Sequence, residues 1–157
     1  MLSRARPGYD TLKAMKALQM WTAFPLAVVG VALAAPAAAT PGVGVDVQTL
    51  STNTVDGTDY LVSRITLAPG GETGWHFHPG EVFGVIRQGT MTHYDGGCLV
   101  DEVYNTGSAV AEGIGSGQVH NGRNEGSAPL IMDVTYINPA GAALSVDVPA
   151  PVGCTVS

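Results

Sequence analysis

The sequence predicts an all-β domain, a sandwich or barrel of short strands. Three observations point there. Runs rich in β-branched residues recur after about Pro41. Glycine, asparagine and aspartate turn signals divide them at short, fairly even spacing. No helical period of useful length interrupts them. Aromatic residues make up only 6% of the chain, so a core filled by valine, isoleucine and leucine is expected.

The front of the chain is set apart from this pattern. Lys16 follows Met15, an apolar stretch runs over residues 24–35, and small residues occupy 35–40. Ala35-x-Ala37 and Ala37-x-Ala39 both fit a cleavage site, so residues 1–39 are expected to be a secretory signal peptide. A leader starting at Met15 has every part it needs. The competing reading is an uncleaved membrane anchor. Pro25, Gly30 and Pro36 break the stretch, and it is short for a span. The mature protein, residues 40–157, is then a single domain of about 118 residues, enough for one modest core. It is expected to be secreted or periplasmic, with no membrane association after cleavage.

From Val43 the elements come in order. Residues 43–50 and 59–67 are rich in β-branched side chains. Pro69-Gly70-Gly71 and Gly74 punctuate the chain before the first histidines. Residues 82–86 form the next strand, closed by Gln88-Gly89. Residues 90–94 end at Asp95-Gly96-Gly97, and 99–104 end at Asn105-Thr106-Gly107. Residues 118–123 end at Asn124-Glu125-Gly126, and 130–137 end at Asn138-Pro139. There is no repeat, and no linker long enough to divide the region.

Charge excludes some partners. After residue 39 the basic residues are Arg64, Arg87 and Arg123, against twelve of the chain's 13 carboxylates, a net charge of −9 with neutral histidines. Nothing in that balance favours nucleic acid or an anionic membrane surface. Cys98 and Cys154 are the only cysteines. In an exported protein an even count predicts a disulfide between them.

The chemistry is concentrated in the histidines. His76 and His78 lie in Gly74-Trp75-His76-Phe77-His78-Pro79-Gly80-Glu81. Residues i and i+2 of a strand point the same way, so two imidazoles stand side by side on one face. His120 lies in a second glycine-rich segment, Gly113-Ile114-Gly115-Ser116-Gly117-Gln118-Val119-His120. Imidazole is the commonest side-chain metal ligand, and three on separate segments suggest one site. The competing reading is three buried, hydrogen-bonded structural histidines. His93 is assigned to a strand, outside the ligand set. Tyr94, Tyr104 and Tyr136 are expected to pack with their hydroxyls at the barrel surface, and Trp75 to anchor the core.

The spacing of these residues resembles the cupin superfamily. Gly70, five residues, His76-x-His78 and the closing Gly89 match its first motif, and Gly117-x-x-His120 followed by Asn124 matches its second. The likeness spans about residues 43–148. It implies a small double-stranded antiparallel β-barrel of jelly-roll type with a metal inside. The family's glutamate ligand should fall at Val82 or Phe83, whereas Glu81 comes one residue early and points away by strand parity. Glu81 is therefore a secondary ligand candidate, with a solvated loop carboxylate as its alternative. Gly115 stands where the family has proline. A three-histidine site resembles the thiol dioxygenase branch. Gln118 shares the parity of His120, and is either a ligand-binding residue facing the barrel or a turn residue in solvent.

The resemblance implies one divalent transition metal, with zinc, iron, copper, manganese and nickel all open. It implies a small-molecule substrate or ligand, and a homodimer formed through sheet edges. Two functions are compatible with it: a small-molecule oxygenase or isomerase, or a non-catalytic binding or sensing cupin. An empty structural relic is the third reading.

Overall fold

The computed structural model describes residues 39–155, and the proposed signal peptide lies outside them, apart from Ala39. Ten strands form one antiparallel system: β1 (Val43–Val55), β2 (Thr58–Glu72), β3 (His76–Phe77), β4 (Glu81–Gln88), β5 (Thr90–Asp95), β6 (Val100–Asn105), β7 (Ala109–Glu112), β8 (His120–Arg123), β9 (Leu130–Pro139) and β10 (Val146–Asp147). The central path runs β10-β3-β8-β2-β9-β4-β7. β1 joins it through β2, and the β5–β6 hairpin joins it through β8. The sheet curls into a nearly closed barrel, and among the described residues there is no helix.

The turns explain the curl. Asp56 and Gly57 both have positive φ, 49° and 77°, and link β1 to β2 by a two-residue hairpin turn. Further along β2, Pro69-Gly70-Gly71 makes a corner. Up to Leu67 the strand pairs with β9, and beyond the corner Glu72 pairs with Arg123 of β8. A Cβ on Gly71 would lie 2.9 Å from the carbonyl oxygens of Ala68 and Val43, so the corner needs a glycine there. One strand thereby serves both sides of the barrel.

The core obeys strand alternation. Along β9, Leu130, Met132, Val134 and Tyr136 are buried while the residues between them are only half-buried. Ile65, Leu67, Val82, Ile86, Met91 and Val110 complete the cluster. Trp75 is fully buried, as expected of an anchor. Tyr136 departs from expectation. Its ring is in this cluster because it keeps the inward parity of Leu130. The motif asparagine, Asn124, is a structural knot. Its amide donates to the carbonyls of Leu67, Ala68 and Ala128 at 2.9–3.1 Å, and its oxygen accepts from the Gly126 N–H.

Two elements carry no clear sequence signal. β10 is two residues long, and β7 reads Ala109-Val110-Ala111-Glu112, half of it alanine. Cys98 and Cys154 are joined by a disulfide with a Cα–Cα distance of 5.6 Å. It fastens the C-terminal tail to the turn between β5 and β6.

Candidate metal centre

The sequence-predicted histidines converge. His76 pairs with His120 across β3 and β8, and His78 comes just after β3 in a bridge to Ile114. All three rings are buried. Ring centroids lie 4.4–5.1 Å apart, and a nitrogen of each lies within 4.8 Å of the others.

The hydrogen bonds fix which nitrogen is free. His76 Nδ1 donates to the Gly74 carbonyl at 2.8 Å, His78 Nδ1 to Leu144 at 2.7 Å, and His120 Nδ1 to Gln118 at 2.8 Å. A carbonyl only accepts, so each Nδ1 carries the proton and each neutral ring keeps its lone pair on Nε2. Backbone partners of this kind orient metal-ligating imidazoles. His76 Nε2 and His78 Nε2 then face each other at 3.1 Å, and His120 Nε2 is buried with no hydrogen-bond partner. A proton shared between two of these atoms, or a cation held by all of them, relieves the facing lone pairs. These donors fit a divalent transition ion.

A carboxylate completes the cluster, and it is not Glu81. Glu81 is exposed at the start of β4, and Val82 takes the inward position. The carboxylate comes from β7. Glu112 Oε2 lies 2.9 Å from His78 Nε2 and 3.6 Å from His120 Nε2, the latter too long for a hydrogen bond. β7 pairs with β4 so that Glu112 sits opposite Val82, the position where the first motif lacks its acid. Val110 and Glu112 share the inward parity, which is the signal the sequence held.

His93, on a strand as expected, stands against the triad. It is 8% exposed, and its ring stacks on His120 with centroids 5.0 Å apart. It keeps the parity of buried Met91. Gln118 does not face the barrel. Its side chain is exposed and packs near Gly113, and it reaches the site only through the carbonyl that holds His120. A glycine turn precedes it and releases the chain from strand alternation before β8 begins.

The local field sets protonation. Burial, with the charge of His120 beside it, pushes His76 down to about 4, so its lone pair is available at neutral pH. Burial would raise Glu112, but the imidazoles of His120 and His78 outweigh it and hold the carboxyl well below the usual range. Burial also works against a charged His120, and Glu112 reverses that, raising it. Tyr136 is pushed well above an ordinary phenol by burial and then by Glu112, so it stays neutral.

His76, His78 and Glu112 open onto a cavity of about 340 Å³. Its walls are mostly apolar, with Ile65, Val82, Val110, Met132 and Val134, and Val45 and Val47 of β1 also border it. Thr73 and Tyr136 add polar atoms, and no arginine or lysine is among the lining residues.

Comparison with known proteins agrees with this architecture. The family model for the cupin domain matches residues 63–137, from within β2 to within β9. No curated protein sequence matches the chain significantly. Among solved structures, a protein with a double-stranded β-helix domain from Klebsiella pneumoniae subsp. pneumoniae is 21% identical, with a TM-score of 0.53 over 69% of this chain and 84% of that one. A cupin domain from Bordetella pertussis is 22% identical, with a TM-score of 0.51 over 60% and 94%. Recombinant oxalate oxidase in complex with glycolate is 25% identical, with a TM-score of 0.51 over 66% of this chain and 54% of that one. The first two likenesses concern the fold alone.

Proposed function

The chain belongs to the cupin superfamily, and from that premise we propose that it is an exported metal-dependent enzyme acting by proton transfer on a small, largely apolar molecule. The observation that carries the reading is Glu112. It is a carboxylate on the cavity wall, beside three imidazoles whose Nε2 atoms converge.

His76, His78 and His120 would hold one divalent ion, and Glu112 lies close enough to join them. A bound ion supplies Lewis-acid polarisation of a carbonyl or hydroxyl oxygen. The chain's own residues do the rest. The apolar walls position the substrate and exclude water. Glu112, a weak base while the imidazoles hold its carboxyl low, is the wall carboxylate that would take a proton from a carbon or oxygen next to the polarised group and return it elsewhere, the pattern of an isomerase. Tyr136, neutral and 5.8 Å from the His78 ring by centroids, offers a hydroxyl for orientation. With no arginine or lysine in the wall, a neutral hydroxy or oxo compound suits the cavity better than a bare carboxylate. Oxalate oxidase was solved with glycolate, a hydroxy carboxylate, so the panel sets neutral hydroxy compounds against glycolate itself.

Metal-loaded protein in D2O is expected to exchange the C–H beside the carbonyl or hydroxyl of such compounds, read by proton NMR. Metal removal and Glu112→Gln should each stop it. If metal binds stoichiometrically and no member of the panel exchanges, the proton-transfer reading fails. The aliphatic walls then favour the second reading, a binding or sensing cupin.

Export is part of the same reading, and the Cys98–Cys154 disulfide supports an oxidising compartment. Intact mass of the exported product should correspond to a start near Thr40. A product that retains Trp21 would overturn this.

A further inference from the structure

His93 is prepared as a ligand in the same way as His76, His78 and His120. Its Nδ1 lies 2.6 Å from the Asp101 carboxylate, which accepts, so the neutral ring carries its lone pair on Nε2. That Nε2 is buried and has no hydrogen-bond partner. It faces Glu112 Oε1 at 4.0 Å. Both atoms are acceptors, and the distance decides what can join them. A shared proton needs about 2.7–3.2 Å between heavy atoms. Two metal–ligand bonds of about 2.1 Å hold their donors about 3.4 Å apart at the tetrahedral angle and up to about 4.2 Å apart when opposed. The gap admits an ion at a widened angle or a water donating to both atoms, and a third donor selects the ion. His120 supplies the third donor, since its nitrogen lies within 4.8 Å of those of His93 and Glu112.

We propose that the centre offers its ion two alternative positions, one on His76, His78 and His120 and one on His93, Glu112 and His120, with His120 common to both. One Nε2 lone pair binds one ion, so the capacity is a single ion per chain. The two positions differ in chemistry. The first presents three neutral nitrogens, and the second two nitrogens and an anionic oxygen. Harder ions such as manganese(II) or iron(II) are drawn to the second more than copper or zinc are. Both oxygens of Glu112 take part, with Oε2 towards the first position and Oε1 towards the second. The proposal rests on the reading of the histidine triad as a metal centre.

Cobalt(II) is the probe, with metal analysis for stoichiometry and visible absorption for ligand environment, on the mature protein. Wild type should take up one equivalent. The His76→Ala/His78→Ala double variant should still take up one equivalent with an altered spectrum, and adding His93→Ala should remove it. His93→Gln alone should shift the wild-type spectrum or lower the affinity. A folded double variant that binds no cobalt overturns the second position and leaves the triad standing. So does a double variant that keeps its cobalt without His93. Two equivalents in wild type overturn the sharing of His120. No cobalt in wild type overturns the metal reading itself. If the double variant does not fold, the His93→Gln comparison decides, and an unchanged spectrum and affinity overturn the proposal.

Discussion

Removing the Cys98–Cys154 disulfide is expected to destabilise the domain by about 4 kcal/mol in the chain-entropy model, for a sequence separation of 56. The bond acts chiefly on the unfolded chain. Without it, the unfolded segment from β6 to the tail gains the freedom of an open loop. The folded state loses little, because Cys98 is held by its own turn. Its N–H donates to the Asp95 carbonyl at 2.9 Å, and the Asp95 carboxylate accepts from the N–H groups of Gly97 and Leu99. Urea denaturation of the oxidised protein and of Cys98→Ser/Cys154→Ser should therefore show a lower midpoint in the variant. A loss below about 1 kcal/mol would mean that the unfolded chain is already restricted or that the tail is held by other contacts. The centre should survive the change, since Cys98 lies in the β5–β6 turn and none of the candidate donors is in the tail.

Long β-branched strands were legible because their pattern is redundant. In β2 and β9 several inward residues give the same answer, and the structure extends those strands beyond their expected ends. The His76 and His78 pair was legible because the i, i+2 spacing already fixes a shared face. β7 was not, because Ala109 and Ala111 have weak strand preference and four residues carry too little periodicity. With β7 went Glu112. The motif led to an acid near residue 82, and Glu81 was close in sequence but of the wrong parity. The fold supplies the acid across the β4–β7 ladder instead, a pairing no local pattern reveals. His93 was legible in principle. Its strand alternates Met91-x-His93, and the apolar residue marks the inward face. Gln118 failed for the opposite reason. The parity that Gln118 shares with His120 holds only along a strand, and β8 begins at His120.

His120→Ala is expected to have the largest effect on metal content of any single change in the centre. Both three-donor sets contain His120, so its loss leaves two histidines in the first, with Glu112 as their one neighbouring carboxylate, and two donors in the second. Stoichiometric metal should disappear from the purified variant. His76→Ala or His78→Ala should weaken binding and leave the other set intact, and Glu81→Gln, an exposed side chain, should change neither content nor affinity. Stability changes by mass action. An ion that binds only the folded state at about 100 times its Kd adds about 2.7 kcal/mol, and His120→Ala forfeits that gain. Deleting a buried imidazole also opens a cavity, which costs stability whether or not metal is present. The comparison is therefore between metal-loaded and metal-free forms of each protein. Wild type should melt higher with metal than without, and His120→Ala should melt at one temperature in both conditions. If His76→Ala, His78→Ala and His120→Ala all lose metal completely, the triad stands and the second position falls. If Glu81→Gln loses it as well, the carboxylate has been assigned to the wrong strand. If His120→Ala keeps a full equivalent and the metal-dependent rise in melting temperature, neither donor set holds the ion.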